Sequence, residues 1–141
     1  MTVYVDTSVL VAALTHENST ERAQIWLTRL APQILLSSEW VRTEFSAALS
    51  VKLRIGDIDR VARSDALAKF DQLSTAALDI RKIRSEHFRK AASLANSHES
   101  GLRAGDALHL AIATIEGAAI ATLDHRLAKV AEALGVAHIL I

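Results

Sequence analysis

Four carboxylates in this chain stand in contexts that suit metal chemistry. Asp6 follows the apolar run Val3-Tyr4-Val5, and Glu44 lies beside the apolar stripe of a helical segment. Asp106 interrupts an otherwise apolar helix, and Asp124 follows Ile120-Ala121-Thr122-Leu123. Hard divalent cations take oxygen ligands, and magnesium uses one or two carboxylates directly while keeping several waters. Two such ions about 3.5–4 Å apart activate water and stabilise the leaving oxygen in phosphodiester hydrolysis. Like charges held that close raise one another's pKa. A site built from these acids is therefore strained without metal, and metal should stabilise the fold.

Each acid alone also has an ordinary reading. Asp106 can cap its helix or complement the helix dipole. Asp124 can be an N-cap and Asp6 a turn residue. Glu44 can be a solvent-facing charge. The joint order strand–Asp, helix–Glu, helix–Asp, strand–Asp is stronger, because it puts both strand-end acids at one edge of a parallel sheet. Ligand crevices form at that edge in open α/β sheets.

The elements that must position these acids alternate between strand and helix, which favours a parallel sheet. Val3–Val5 reads as the first strand, with Ser8 capping a helix Val9–Leu14. Thr20–Leu30 is amphipathic through Ala23, Trp26, Leu27 and Leu30, and Pro32 ends it. Ile34–Leu36 is the second strand. Ser37 or Ser38 caps a helix reaching Arg54, whose apolar face is Trp40, Val41, Phe45, Ala48, Leu49 and Leu53. Gly56 breaks the chain, and Asp57 caps a helix to Leu73 with Val61, Leu67, Phe70 and Leu73 inward. Leu78–Ile83 alternates as a half-buried strand does. Ser85–Ser97 is a helix, and Gly101 and Gly105 frame a turn into the helix Asp106–Glu116. That helix is apolar nearly all round and must be buried, with Asp106 and His109 as its polar stripe. Ala118–Thr122 is a strand, His125–Leu134 a helix closed by Gly135, and Val136–Ile141 the last strand.

The bulk numbers set further bounds. The 141 residues are half apolar, enough for the core of a single domain covering 1–141. There is no cysteine, so disulfides and thiolate metal sites are excluded. The net charge is zero, so any nucleic acid must be held by a local basic patch or by metal ions. The densest basic run is Arg81, Lys82, Arg84, Arg89 and Lys90, which suits either phosphate contact or a solvated face. Arg42 and Arg103, near acids in sequence, can grip phosphate or pair with those acids. No signal peptide or apolar span of membrane length is evident, so we expect a cytoplasmic protein without membrane attachment. His109 can support Asp106 or be a satisfied core histidine. No H-E-x-x-H zinc spacing and no G-x-S-x-G elbow occur. An aspartate-nucleophile phosphatase needs a second aspartate two residues after the first, where this chain has Ser8, and a receiver domain needs paired acids at Asp6.

Val5-Asp6-Thr7-Ser8-Val9-Leu10, Glu44, the segment Arg103 to Ala111, and Thr122-Leu123-Asp124 resemble the PIN domain, and more narrowly the VapC-type toxins of prokaryotic toxin–antitoxin pairs. The resemblance spans nearly the whole chain. It implies an α/β three-layer sandwich with a central parallel sheet of about five strands flanked by helices. It also implies endoribonuclease activity dependent on Mg2+ or Mn2+, with transfer RNA among the substrates. By position, Asp6, Glu44, Asp106 and Asp124 match the family's acidic quartet, and Ser8 and Thr122 match polar residues that line its site. Many relatives carry another acid just after the position of Asp124, where His125 and Arg126 follow here; this bears on the ligands of a second ion. The resemblance also implies a homodimer and a cognate antitoxin laid over the acidic cleft; Trp26 and Trp40, the only tryptophans, read as core or helix-packing residues or, as large aromatics, as a groove or dimer seam. Two alternatives are a PIN nuclease of RNA processing that is not a toxin, and a catalytically silent interaction module.

Overall fold

The computed structural model describes all residues, Met1–Ile141. Five parallel strands are β1 Val3–Val5, β2 Leu35–Ser38, β3 Leu78–Arg81, β4 Ala119–Thr122 and β5 His138–Leu140. They lie in the order β3-β2-β1-β4-β5. The helices are α1 Thr7–Leu14, α2 Thr20–Leu30, α3 Glu39–Arg54, α4 Arg60–Ala76, α5 Ser85–Ala95, α6 Ala104–Ile115 and α7 His125–Ala133, with a 3-10 turn at His98–Ser100. No helix is long and apolar enough to cross a membrane.

Successive strand residues point to opposite faces, and that alternation builds three layers. Val3 and Val5 of β1, with Leu35, Leu78 and Ala121, pack under Val9, Leu10, Val41, Phe45, Leu49 and Phe70 from α1, α3 and α4. Tyr4, Leu36 and Ile120 face the other way, onto Leu108, Leu110, Ala111 and Ile112 of α6 and Leu127 and Val130 of α7. This is the α/β sandwich that the sequence implies. Phe45 and Phe70 stack with ring centroids 4.5 Å apart at the centre of the first layer.

Several local expectations are corrected. Helix α1 starts at Thr7 with Asp6 as its N-cap residue, and Ser8 lies in the first turn. Asp59 caps α4, accepting from the Ala62 amide at 2.8 Å, whereas Asp57 pairs with Lys52 at 3.6 Å. Val61 is 72% exposed. It lies nine residues from the buried Phe70, half a rotation away at 3.6 residues per turn. Strand β2 begins at Leu35, leaving Ile34 exposed, and β3 ends at Arg81, before Ile83. Gly105 is inside the first turn of α6 and does not frame a turn before it.

Candidate metal centre

The sheet register places the first acid. Val5 pairs with Ala121, and the ladder continues one residue further as the Asp6 amide donates to the Ala121 carbonyl at 3.0 Å. Asp6 therefore stands beside Thr122, the last residue of β4, at the carboxyl edge of the two central strands. Its Oδ2 accepts from the Ser8 hydroxyl at 2.7 Å and from the Thr122 hydroxyl at 2.8 Å. The same two hydroxyls accept the Leu123 amide at 3.1 Å and the Asp124 amide at 3.0 Å. Thus Ser8 and Thr122 fix the Asp6 carboxylate and staple the turn carrying Asp124 to the start of α1. Replacing either hydroxyl residue by alanine is expected to weaken Mn2+ binding about 10-fold, and replacing both about 100-fold. Calorimetric titration measures this, with Thr122→Ser expected to restore the loss.

Asp124 caps α7, its Oδ1 accepting the Arg126 amide at 2.8 Å and the Leu127 amide at 3.3 Å. The capping reading is thus fulfilled, and Oδ2 still has no protein donor. Glu44 projects from α3. Its Oε1 accepts from the Thr7 hydroxyl at 2.7 Å and from His109 Nε2. Asp106, in the first turn of α6, is half-buried and forms neither a hydrogen bond nor an ion pair. All four acids line one open cleft of about 460 Å3, together with Thr7, Ser8 and Leu123.

His109 is fully buried and joins this cluster from behind. Its Nε2 bonds Glu44 and lies 3.5 Å from Asp6 Oδ1. Its Nδ1 shares a 2.8 Å bond with the Tyr4 hydroxyl, which shares another of 2.8 Å with Ser38. Burial disfavours the imidazolium, but the Glu44 bond and the charges of Asp6, Glu44 and Asp106 outweigh it and raise the His109 pKa. Burial would raise Glu44, but the His109 bond and charge, with Thr7 and Trp40, hold it below the usual range. Asp106 goes the other way: burial, then the charges of Asp6, Asp124 and Glu44, push its pKa up against the pull of His109. Asp6, Glu44 and His109 have ligand atoms close enough to surround one ion. Asp106 and Asp124 line the same cleft but are not part of that close group.

No lysine or arginine pairs with any of the four acids. Arg42 pairs with Glu39 at 3.2 Å. Arg81 is held by Asp79 at 3.0 Å and Glu116 at 3.5 Å, and Arg84 by Glu86. Lys82, Arg89 and Lys90 are exposed and unpaired, so only part of the basic run is free to meet an anion. Arg126 donates to the Gly101 carbonyl at 2.7 Å. A fifth acid, Glu17, also lines the cleft and is tied to Lys52 at 2.9 Å; its loop position gave no signal in the sequence.

The family model described as PIN domain matches residues 3–133. No curated protein matches the sequence significantly. Among solved structures, the chain is similar to VapC20 of Mycobacterium tuberculosis, a Sarcin-Ricin loop cleaving toxin, at TM-score 0.72 and 19% identity, covering 99% of this chain and 100% of that one. It is similar to VapBC2 from Rickettsia felis, bound to a promoter DNA fragment, at TM-score 0.70 and 17% identity, covering 99% and 98%. It is also similar to FitAcB from Neisseria gonorrhoeae at TM-score 0.73 and 19% identity, covering 97% and 96%.

Proposed function

The chain belongs to the PIN domain family, and from that premise we propose that it is a metal-dependent endoribonuclease, the toxin of a type II toxin–antitoxin pair. The observation that carries this reading is Asp106: a half-buried carboxylate with no hydrogen bond or ion pair, sharing a cleft with Asp6, Glu44 and Asp124. Four carboxylates share the cleft with no lysine or arginine paired to any of them, and their donors are hard oxygens, so the site fits Mg2+ or Mn2+. Asp6, Glu44, Asp106 and Asp124 are the residues that would hold the metal and make up the catalytic set. When bound, such an ion activates water and offsets charge on the phosphate.

The protein's own part is positioning. Ser8 and Thr122 orient Asp6, and Thr7 and His109 orient Glu44. The exposed Lys82 and Arg89 supply the local positive charge that a neutral protein needs to approach RNA, while Lys90 lines a separate hollow with Met1 and Gly117 at the amino edge of the sheet. The substrate is a structured RNA, with transfer RNA and the sarcin–ricin loop the first to try. The protein acts as a homodimer restrained by a cognate antitoxin, consistent with its likeness to VapBC2 and FitAcB.

The test is cleavage of these RNAs with Mg2+, with Mn2+ or with EDTA. We expect internal cleavage with either metal and none in EDTA. Intact RNA under every metal condition overturns the nuclease reading, and cleavage persisting in EDTA overturns the metal. Light scattering that finds only monomer at high concentration removes the homodimer.

A further inference from the structure

The chain has one buried donor beside the acidic cleft that has no partner. The Trp40 indole Nε1 is shielded from solvent and makes no hydrogen bond. A buried polar group left unpaired is uncommon and costs about 1–3 kcal/mol. Trp40 is four residues before Glu44 on α3, so both side chains lie on the same helix face. Gly105 of α6 packs against both. A Cβ added there would stand 3.1 Å from Glu44 Oε2 and 3.2 Å from Trp40 Nε1. A glycine in the first turn of a buried helix thus lets the indole nitrogen and the second Glu44 oxygen press against one patch of backbone.

The two oxygens of Glu44 are unequally served. Oε1 takes Thr7 and His109, while Oε2 has no hydrogen bond of ordinary geometry. Resting on the metal-site reading above, we propose that the Trp40 indole N–H is a positioning donor for Glu44 Oε2. It works opposite Thr7 and His109, holding the carboxylate plane in the attitude that presents Glu44 to the cation. Electrostatics point the same way, since Trp40 is among the groups that favour the charged form of Glu44.

Only two tryptophans exist, Trp26 and Trp40, so the 1H–15N spectrum holds two indole signals, assigned with Trp26→Phe. In metal-free protein, Glu44→Gln should move the Trp40 indole proton upfield and leave Trp26 in place. An unmoved Trp40 signal overturns the pairing. In the second arm, Trp40→Phe keeps an aromatic ring at this position but removes the donor. Its Mn2+ affinity by calorimetry should fall about 10- to 100-fold, with its far-UV spectrum unchanged. Affinity within twofold of wild type overturns the positioning role. If wild type itself takes up no Mn2+, the metal reading falls and this role with it, while the first arm still decides the indole–carboxylate pairing.

Discussion

Asp6→Asn and Asp106→Asn are each expected to lower metal-dependent RNA cleavage by at least about 100-fold, because a carboxylate ligand contributes several kcal/mol to the charge balance of the reaction and each 1.36 kcal/mol is a factor of ten. The two variants should part company in stability. Asp106 has its pKa raised by burial and by the charges of Asp6, Asp124 and Glu44. A carboxyl raised in the folded state destabilises the fold once ionised: the penalty is absent below the unfolded pKa and complete above the folded one. Asparagine cannot ionise, so Asp106→Asn should raise Tm in EDTA near neutral pH by roughly 1–3 °C, because solvent screening at this half-exposed position keeps the relieved repulsion below about 1 kcal/mol. That advantage should shrink as pH falls through the raised folded-state value and vanish below the ordinary value of 3.8. Asp6→Asn should lower Tm, since a neutral amide oxygen accepts the Ser8 and Thr122 hydroxyls more weakly than the Oδ2 carboxylate oxygen does, and the amide NH2 would face His109 Nε2, 3.5 Å from Oδ1. Added Mn2+ should then raise the Tm of wild type more than that of either variant. Cleavage at wild-type rate by Asp106→Asn, or a lower metal-free Tm for it, would remove that residue from the site.

The architecture was legible because strand and helix alternate and the strands are apolar. What the sequence expressed less well was where caps fall, and the reason is chemical. Ser38 and Asp6 occupy N-cap positions but use their side chains elsewhere, Ser38 on Tyr4 and Asp6 on Ser8 and Thr122. A capping residue recruited by a site loses its local signature. Asp124 shows the converse: one oxygen caps α7 and the other remains without a donor. The ordinary and the functional readings of Asp124 were therefore compatible.

The sequence singles out Asp6, Asp106 and Asp124 because each ends or interrupts an apolar run, and Glu44 because it flanks the apolar stripe of a helix. The groups that orient them could not, because their contacts are distant in sequence: Tyr4 meets His109 across 105 residues and Ser38 across 34. One signal was available. A tyrosine in the middle of an apolar strand needs a partner for its hydroxyl once buried, and strand alternation turns Tyr4 away from Val3 and Val5 towards α6, where His109 is the polar residue. Gly105 left no comparable trace. Its role comes from the side chain it lacks, and a glycine beside a helix start reads first as a turn.

His109→Ala is expected to cost the most stability of any change near the site, about 3–5 kcal/mol, because it empties a buried volume and breaks a buried ion pair by removing one partner. That corresponds to a Tm lower by roughly 10–20 °C in EDTA. The pH dependence identifies the cause. His109 is raised above its ordinary value of 6.5, so its contribution is fully present below 6.5 and is lost as pH rises through the folded-state value. Glu44 is lowered from 4.5, so its contribution is present above 4.5 and is lost as pH falls through the folded-state value. The wild-type advantage over His109→Ala should therefore peak between these ordinary values and decline on both sides. A divalent cation replaces the missing positive charge, so the variant should gain more Tm from Mn2+ than wild type does. A wild-type advantage that stays flat from acid to alkaline pH would mean that His109 only fills space, and that the charge of Glu44 and Asp6 is balanced by something other than the imidazolium.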